Sequence, residues 1–488
     1  MAISFLDIPL NLRTPGVYVE FDPSQAMQGL SVMNYRVLLV GQRTASGSVG
    51  ALTFKRVTNA ADPKTWFGAG SHLALMAAAF LENNSTTEVF AVALDDDASA
   101  VAATGTLTLT GTATAAGVLA FYVGGQRVRV NAAVGDTAAA VATALAAAVT
   151  AAVNMPVTAA AESGVLTLTA KNKGLCGNDI DLRVNYASDE STPAGLTAVV
   201  AAMSGGAANP DLAPLIAALG DDWYHFIAMP YRDSTSLMAV EDELDSRWGP
   251  LRQIEGHCIT ADSGDHSTLG TLGDSRNSPH LTIMGCHGSP STAWEWAAAI
   301  CAVMAFYGNI DQARPFQTLP VAGVLAPADE DRFTRAERNL LLYDGISTHT
   351  VDADGSVRIE RLITTYKTSA AGAEDTAYLD VNTKLTLGYL RHDLRVMMRV
   401  RYPRHKLASD GTRYGVGQAV ATPKGVKSEI VSRARLWEES GLVEGVDDFK
   451  RSLICERNTS DPNRMDIRLR PDLVNQFRVA AIQIQHLL

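Results

Sequence analysis

The sequence predicts a mixed α/β protein: a discontinuous α/β core, an inserted small β-rich domain, and a C-terminal α/β domain, with extended arms at the chain ends. Three observations predict this. Strand-like and helix-like runs alternate at short spacing across 36–94 and again across 223–307, the rhythm of a mostly parallel sheet covered by helices. Between them, from about 98 to 203, Ala, Thr, Val and Gly take over and period-two alternation dominates. At each end, a strand-like run stands apart from the domains behind a polar or proline-containing segment.

The elements follow in order. An N-terminal arm (1–30) carries Pro15-Gly16 before Val17-Tyr18-Val19-Glu20-Phe21, where Val17, Val19 and Phe21 share one strand face. The core domain (31–97 and 204–370) opens with strands near 36–40 and 52–57, an amphipathic helix over 72–81 and a buried strand over 88–94. In the inserted domain (98–203), Gly105 to Thr110 alternates, and Gly124-Gly125 between two strand-like runs signals a hairpin. Asp136-Thr137 caps an Ala-rich helix, and 165–169 returns to alternation. The core resumes with strands at 223–229, 253–260 and 281–286 and helices at 234–248, 265–273 and 291–307. A hairpin then turns at Asp354-Gly355.

The C-terminal domain (371–488) begins with a helix over 376–401, capped at Asp375 and ended by Pro403, followed by a second helix over 427–440. Strand-like runs close the chain at 449–456, 464–470 and 474–485. Met465, Ile467 and Leu469 alternate in the middle run. In the last, Phe477 and Val479 give way to Ile482 and Ile484, a parity switch that a bulge or two-sided burial explains.

Composition excludes several function classes. With 488 residues, 47% hydrophobic and 19% charged, the chain is long enough for two or three cores and is not disordered. A formal net charge of -11 argues against a general nucleic-acid binder. Five widely spaced cysteines (Cys176, Cys258, Cys286, Cys301, Cys455) fit a reduced chain better than a disulfide framework. No secretory leader is visible at the N-terminus, and the strongest apolar run, 296–307, is too short to span a bilayer. The expectation is a soluble, cytoplasmic chain without membrane insertion.

Catalytic motifs are weak. Gly68-Ala-Gly70 and Gly415-Val-Gly417 do not complete a dinucleotide loop, and no Walker, HExxH or CxxC pattern occurs. His257-Cys258 and Cys286-His287 lie at strand ends, but neighbours on a strand face opposite ways, so buried core residues explain them better than zinc. Asp262-Ser263-Gly264-Asp265-His266 holds triad residue types yet reads as a capped helix start. The expectation is no catalytic residue, no cofactor and no metal.

Two features remain. Terminal strands without a local partner expose N–H and C=O groups, which either fold back onto their own sheet or pair with another copy. Arg391, Arg395 and Arg399 recur every four residues on one side of the long helix, continued by Arg401, Arg404 and Lys406. That face is either solvated or docks on an acidic partner.

At these segments the chain resembles the contractile phage tail sheath proteins, in their Mu-like branch. The resemblance runs through Thr14-Pro-Gly-Val-Tyr-Val-Glu20, 339–347, 358–366, 375–383, Arg401-Tyr-Pro-Arg-His-Lys-Leu407, Thr422-Pro-Lys424, Asp461-Pro-Asn-Arg464 and 470–476, in order. Lys171-Asn-Lys-Gly174 and Gly177-Asn-Asp-Ile180 extend it into the insertion. It implies a homo-oligomer of stacked helical rings around a tail tube protein, held by strands donated between subunits and contacting baseplate and tail terminator proteins. The inserted domain would protrude outward, the assembly would form in the host cytoplasm, and contraction would need no nucleotide. The donated strands would be Val17, Tyr18, Val19, Glu20 and Phe21 at one end. At the other they would be the run of Met465, Ile467 and Leu469 or that of Phe477, Val479, Ile482 and Ile484. Arg391, Arg395 and Arg399 would face the tube. Rival readings are the sheath of a tail-derived bacteriocin or other injection machine, an α/β hydrolase or metal enzyme, and a static or adhesive tail protein.

Overall fold

The computed structural model describes residues 14–19 and 29–487. The chain forms two compact units, one of Asn34–Gly388 with Asn475–Leu488, the other of Tyr389–Val474 with the chain up to Met33.

The first unit is built on an eight-stranded sheet. From one edge the strands are Val357–Arg361, Ile346–Val351, Leu281–Gly285, His257–Asp262, Phe226–Ala228, Arg36–Gln42, Glu88–Leu94 and Lys55–Val57. Neighbouring strands are parallel except at the two edges, where Val357–Arg361 and Lys55–Val57 run antiparallel. Central strands covered on both faces need apolar residues throughout, and Val37, Leu38, Leu39 and Val40 are all buried. Cutting Leu38 or Leu39 to alanine should cost roughly 2–5 kcal/mol.

Helices His72–Asn83 and Ala293–Ile310 pack on each other and on this sheet. The second is apolar on nearly every side, with Trp294 and Trp296 fully buried, as a helix inside a core must be. Its start is a capping box between Thr292 and Glu295. Burial, with Glu82 nearby, pushes the Glu295 carboxyl up to about 7 against the hydrogen bonds from Thr292.

The segment between Leu94 and Ala213 folds into sheets of its own. Four antiparallel strands run in the order Leu196–Ser204, Thr104–Gly111, Val165–Ala170, Val157–Glu162. Three more run Gln126–Ala132, Gly117–Val123, Leu182–Val184. Thr137 caps helix Ala138–Ala151 by accepting from the Ala140 N–H. Gly124 and Gly125, at φ 54° and 78°, form the tight turn of the hairpin. A Cβ on Gly125 would come within 2.9 Å of the Ser291 hydroxyl, so this tip fits against the core only as glycine. The rest of the seam is polar. Arg232 pairs with Asp179 of the insertion and with Asp262 of the core at 2.7 Å, and Asn172 accepts from the His72 N–H at 3.0 Å.

Two expected elements are corrected. The long helix spans Val381–Arg401 rather than starting at 376. Asp375 instead accepts from the Ala377 N–H and the Tyr366 hydroxyl, and a bridge between Ile363 and Asp380 keeps the chain extended up to the helix. The run 449–456 is not one strand: Val446–Ser452 is a helix that buries Val446 and Phe449, and the strand is Ile454–Arg457. Spacing of i and i+3 from a left-handed Gly445 outcompetes the local alternation.

The second unit packs the end of the long helix with helix Pro423–Glu439, capped by Thr422 through the Gly425 N–H. Beside them lie Val446–Ser452 and three two-stranded ladders. Among the described residues, no helix is long and apolar enough to cross a membrane.

Candidate assembly segments

The residues of the His257, Cys286 and Asp262–His266 clusters are held in internal contacts. His257 Nε2 lies 2.8 Å from the Thr282 hydroxyl, and Thr282 itself donates to the Ile363 carbonyl, so this histidine is an internal hydrogen-bonding group. Burial, with Lys384 and His280 beside it, pushes its ring well below the usual range. Burial also pushes the Cys258 and Cys286 thiols up, away from thiolate character. Asp262 accepts from the Gly264 N–H and pairs with Arg232, while Asp265 caps helix His266–Asp274 through the Thr268 N–H. Among the described residues no group of three His, Cys, Asp or Glu is placed to hold a metal.

The terminal segments behave differently. Val17, Tyr18 and Val19 belong to no strand and are 93%, 46% and 73% exposed. Glu20 and Phe21 lie outside the described residues. The last run is likewise not a strand in this chain: 474–487 has no ladder partner among the described residues. Phe477, Val479, Ile482 and Ile484 are 77%, 78%, 82% and 85% exposed. Apolar residues spaced two apart would share one face of a strand, and here they meet water.

The middle run differs. Met465–Arg468 pairs antiparallel with Ile454–Arg457 in its own chain, leaving Leu469 just beyond the ladder. Cys455, Arg457, Met465 and Ile467 share one face of this hairpin, which packs beside helix Pro423–Glu439. With two strands only, each strand keeps one edge without a partner among the described residues.

On the long helix, Arg391 and Arg395 are half-buried and make contacts within the chain, whereas Arg399 is exposed. Arg401 is also exposed and lies 3.5 Å from Glu429.

Two charge pairs at the bases of the terminal segments were not read from the sequence. Asp393 is fully buried, accepts from the Ser31 N–H at 2.8 Å and the Trp437 indole at 2.7 Å, and pairs with Arg433. Arg433 also donates to the Gly29 carbonyl at 2.9 Å, and the Tyr389 hydroxyl to the Ser31 carbonyl at 2.9 Å. Burial pushes the Asp393 carboxyl up, but hydrogen bonds from Arg433, Ser31 and Trp437 outweigh it and hold it below the usual range. The second pair is Arg478 with Asp380, which Arg361 also clasps. Asp393 is detectable in the sequence: it falls four residues from Tyr389 and from Met397, inside the buried stripe of the helix.

Residues 205–365 match the family model for the phage tail sheath protein central domain, and 373–486 that for the phage tail sheath C-terminal domain. The chain is 42% identical over 488 residues, the whole of both proteins, to the Mu-like prophage FluMu tail sheath protein of Haemophilus influenzae. Its fold is similar to the crystal structure of the sheath tail protein from Desulfitobacterium hafniense, at TM-score 0.51 and 13% identity, covering 95% of this chain and 97% of that one. Full-length identity at this level, with both domain models matched in order, makes the chain a member of the phage tail sheath family: a structural subunit of a contractile virion tail, not an enzyme.

Proposed function

We propose that the chain polymerises by lending its terminal segments to neighbouring copies, and that the resulting mesh wraps the tail tube and survives contraction. One observation carries this reading: among the described residues, the apolar side chains at Val17 and Val19 and at Phe477, Val479, Ile482 and Ile484 are solvent-exposed and without ladder partners. Among the C-terminal runs, 474–485 is the better donor, because Met465–Arg468 already has a strand partner in its own chain. The open edges of the Ile454–Arg457 and Met465–Arg468 hairpin are the natural acceptor, since adding a strand there satisfies exposed main-chain groups. Ile482 and Ile484 share one strand face, and burying each contributes about 1.5–3 kcal/mol.

Main-chain hydrogen bonds of a shared sheet tolerate rigid-body motion of the subunits when the arms bend at hinges. The exposed basic end of the long helix, led by Arg399 with Arg391 and Arg395 on the same side, docks on the tube protein. Electrostatic contacts there hold the register and release without exposing a core. Baseplate and tail terminator proteins bound the polymer, which assembles in the host cytoplasm and drives the tube through the target envelope when it contracts.

Removing residues 1–21, or residues 479–488, should leave folded monomers that fail to form striated hollow cylinders in negative stain. Cylinders of ordinary appearance from either truncation would refute strand exchange.

A further inference from the structure

The C-terminal segment changes character within one peptide. Up to residue 478 it is held by its own subunit: the Gln476 side chain donates to the Ala313 carbonyl and Gln317 donates to the Phe477 carbonyl, each at 3.4 Å. The Arg478 guanidinium donates to Asp380 at 2.9 Å and to the Gln317 side-chain oxygen at 3.4 Å. Its side chain is only 15% exposed. Asp380 in turn receives two bonds from Arg361, at 3.1 and 3.0 Å, and directly precedes the helix Val381–Arg401. From Val479 onward, among the described residues, no hydrogen bond holds the chain, and Val479, Ile482 and Ile484 face water.

We propose that Arg478 is the fixed pivot of the C-terminal arm: clamped on Asp380, it keeps 475–478 with its own subunit and frees only 479–487 for a neighbouring copy. The inference rests on the strand-exchange reading and adds where the exchanged piece begins. A partly buried charge pair keeps its geometry where an exposed surface pair would not. The arm therefore leaves from a defined point on a rigid helix base, and the ordering of 475–478 is complete before assembly. At about 3.3 Å per residue, the free piece reaches roughly 30 Å, which bounds the distance from Arg478 to the accepting sheet. The parity switch also finds a place: Phe477 and Val479 flank the pivot, whereas Ile482 and Ile484 lie wholly within the donated piece.

The test measures the critical concentration for cylinder formation in otherwise full-length chains. Arg478→Ala and Asp380→Asn should each raise it about tenfold, the factor that ordering roughly one additional residue costs at assembly. The double variant should raise it no further than either single one, because each already removes the Arg478–Asp380 pair on which the arm is held. Arg361→Gln, which leaves Arg478 on Asp380, should polymerise at the wild-type concentration. Arg478→Lys should recover part of the loss. A wild-type value for Arg478→Ala, while deletion of 479–488 abolishes cylinders, would overturn the pivot and leave strand exchange standing. A tenfold rise for Arg361→Gln as well would also overturn it, since the surroundings of Asp380 rather than the clamp would then be responsible. Cylinders from the 479–488 deletion at the wild-type concentration would instead remove the strand-exchange reading beneath it.

Discussion

Replacing Asp393 with asparagine tests the contact that holds Gly29 and Ser31. The carboxylate is fully buried and receives bonds from the Arg433 guanidinium, the Trp437 indole and the Ser31 N–H. Asparagine keeps one acceptor oxygen, but its NH2 group would face donors, and Arg433, whose side chain is 11% exposed, would lose its counter-charge. Breaking a buried pair from one side costs about 3–5 kcal/mol, and retaining the Ser31 bond places this variant near the lower figure, about 3 kcal/mol. Urea denaturation followed by hydrogen exchange in peptides of Tyr389–Val474 reads the loss in that unit. The sign with pH follows from the depressed carboxyl: its stabilisation is present above the ordinary aspartate value of 3.8 and lost as pH falls through the lower folded value. The wild-type advantage over Asp393→Asn should therefore hold at neutral pH and shrink on acidification below 3.8. A variant within about 0.5 kcal/mol of wild type at neutral pH would refute the reasoning, since it would mean the buried charge is not what holds Gly29 and Ser31.

Acid should also destabilise the sheet unit. Burial pushes the His72 ring down to about 3, against Trp294 at 4.3 Å, so its contribution is complete above 6.5 and lost as pH falls toward 3. Between pH 6.5 and about 4.5 this amounts to roughly 2–3 kcal/mol, which His72→Leu should abolish in urea titrations across that range. Arg399→Glu should weaken co-assembly with tube protein at low salt and less so at high salt, while tube-free cylinders form normally in sedimentation.

Much of the fold is legible along the chain because its signals are local. Phe226–Ala228, His257–Asp262 and Leu281–Gly285 are short, wholly buried runs separated by capped helices, the pattern of a covered parallel sheet. Gly124-Gly125 and Asp354-Gly355 announce their hairpins through the backbone angles only glycine adopts cheaply. The misread elements fail where a distant partner decides. Asp375 resembles a helix cap until Tyr366 takes its carboxylate, and 449–456 alternates until burial of Val446 and Phe449 selects a helical turn.

The candidate assembly segments divide the same way. Alternation at 17–21, 465–469 and 477–484 is written in the sequence, and so is the recurrence of Arg391, Arg395 and Arg399. Which of these runs has a partner in its own chain is a long-range fact: Met465–Arg468 finds Ile454–Arg457, whereas 479–487 has no strand partner among the described residues. Strand propensity belongs to a few neighbouring residues, but pairing depends on which edge lies within hydrogen-bonding reach. The charge pairs Asp393 with Arg433 and Asp380 with Arg478 join residues 40 and 98 positions apart. The sequence by itself determined the kinds of segment this protein contains, because side-chain period and backbone preference act locally. Only the tertiary structure decided which segments find a partner in their own chain and which, among the described residues, do not, because strand pairing and salt bridges form through space.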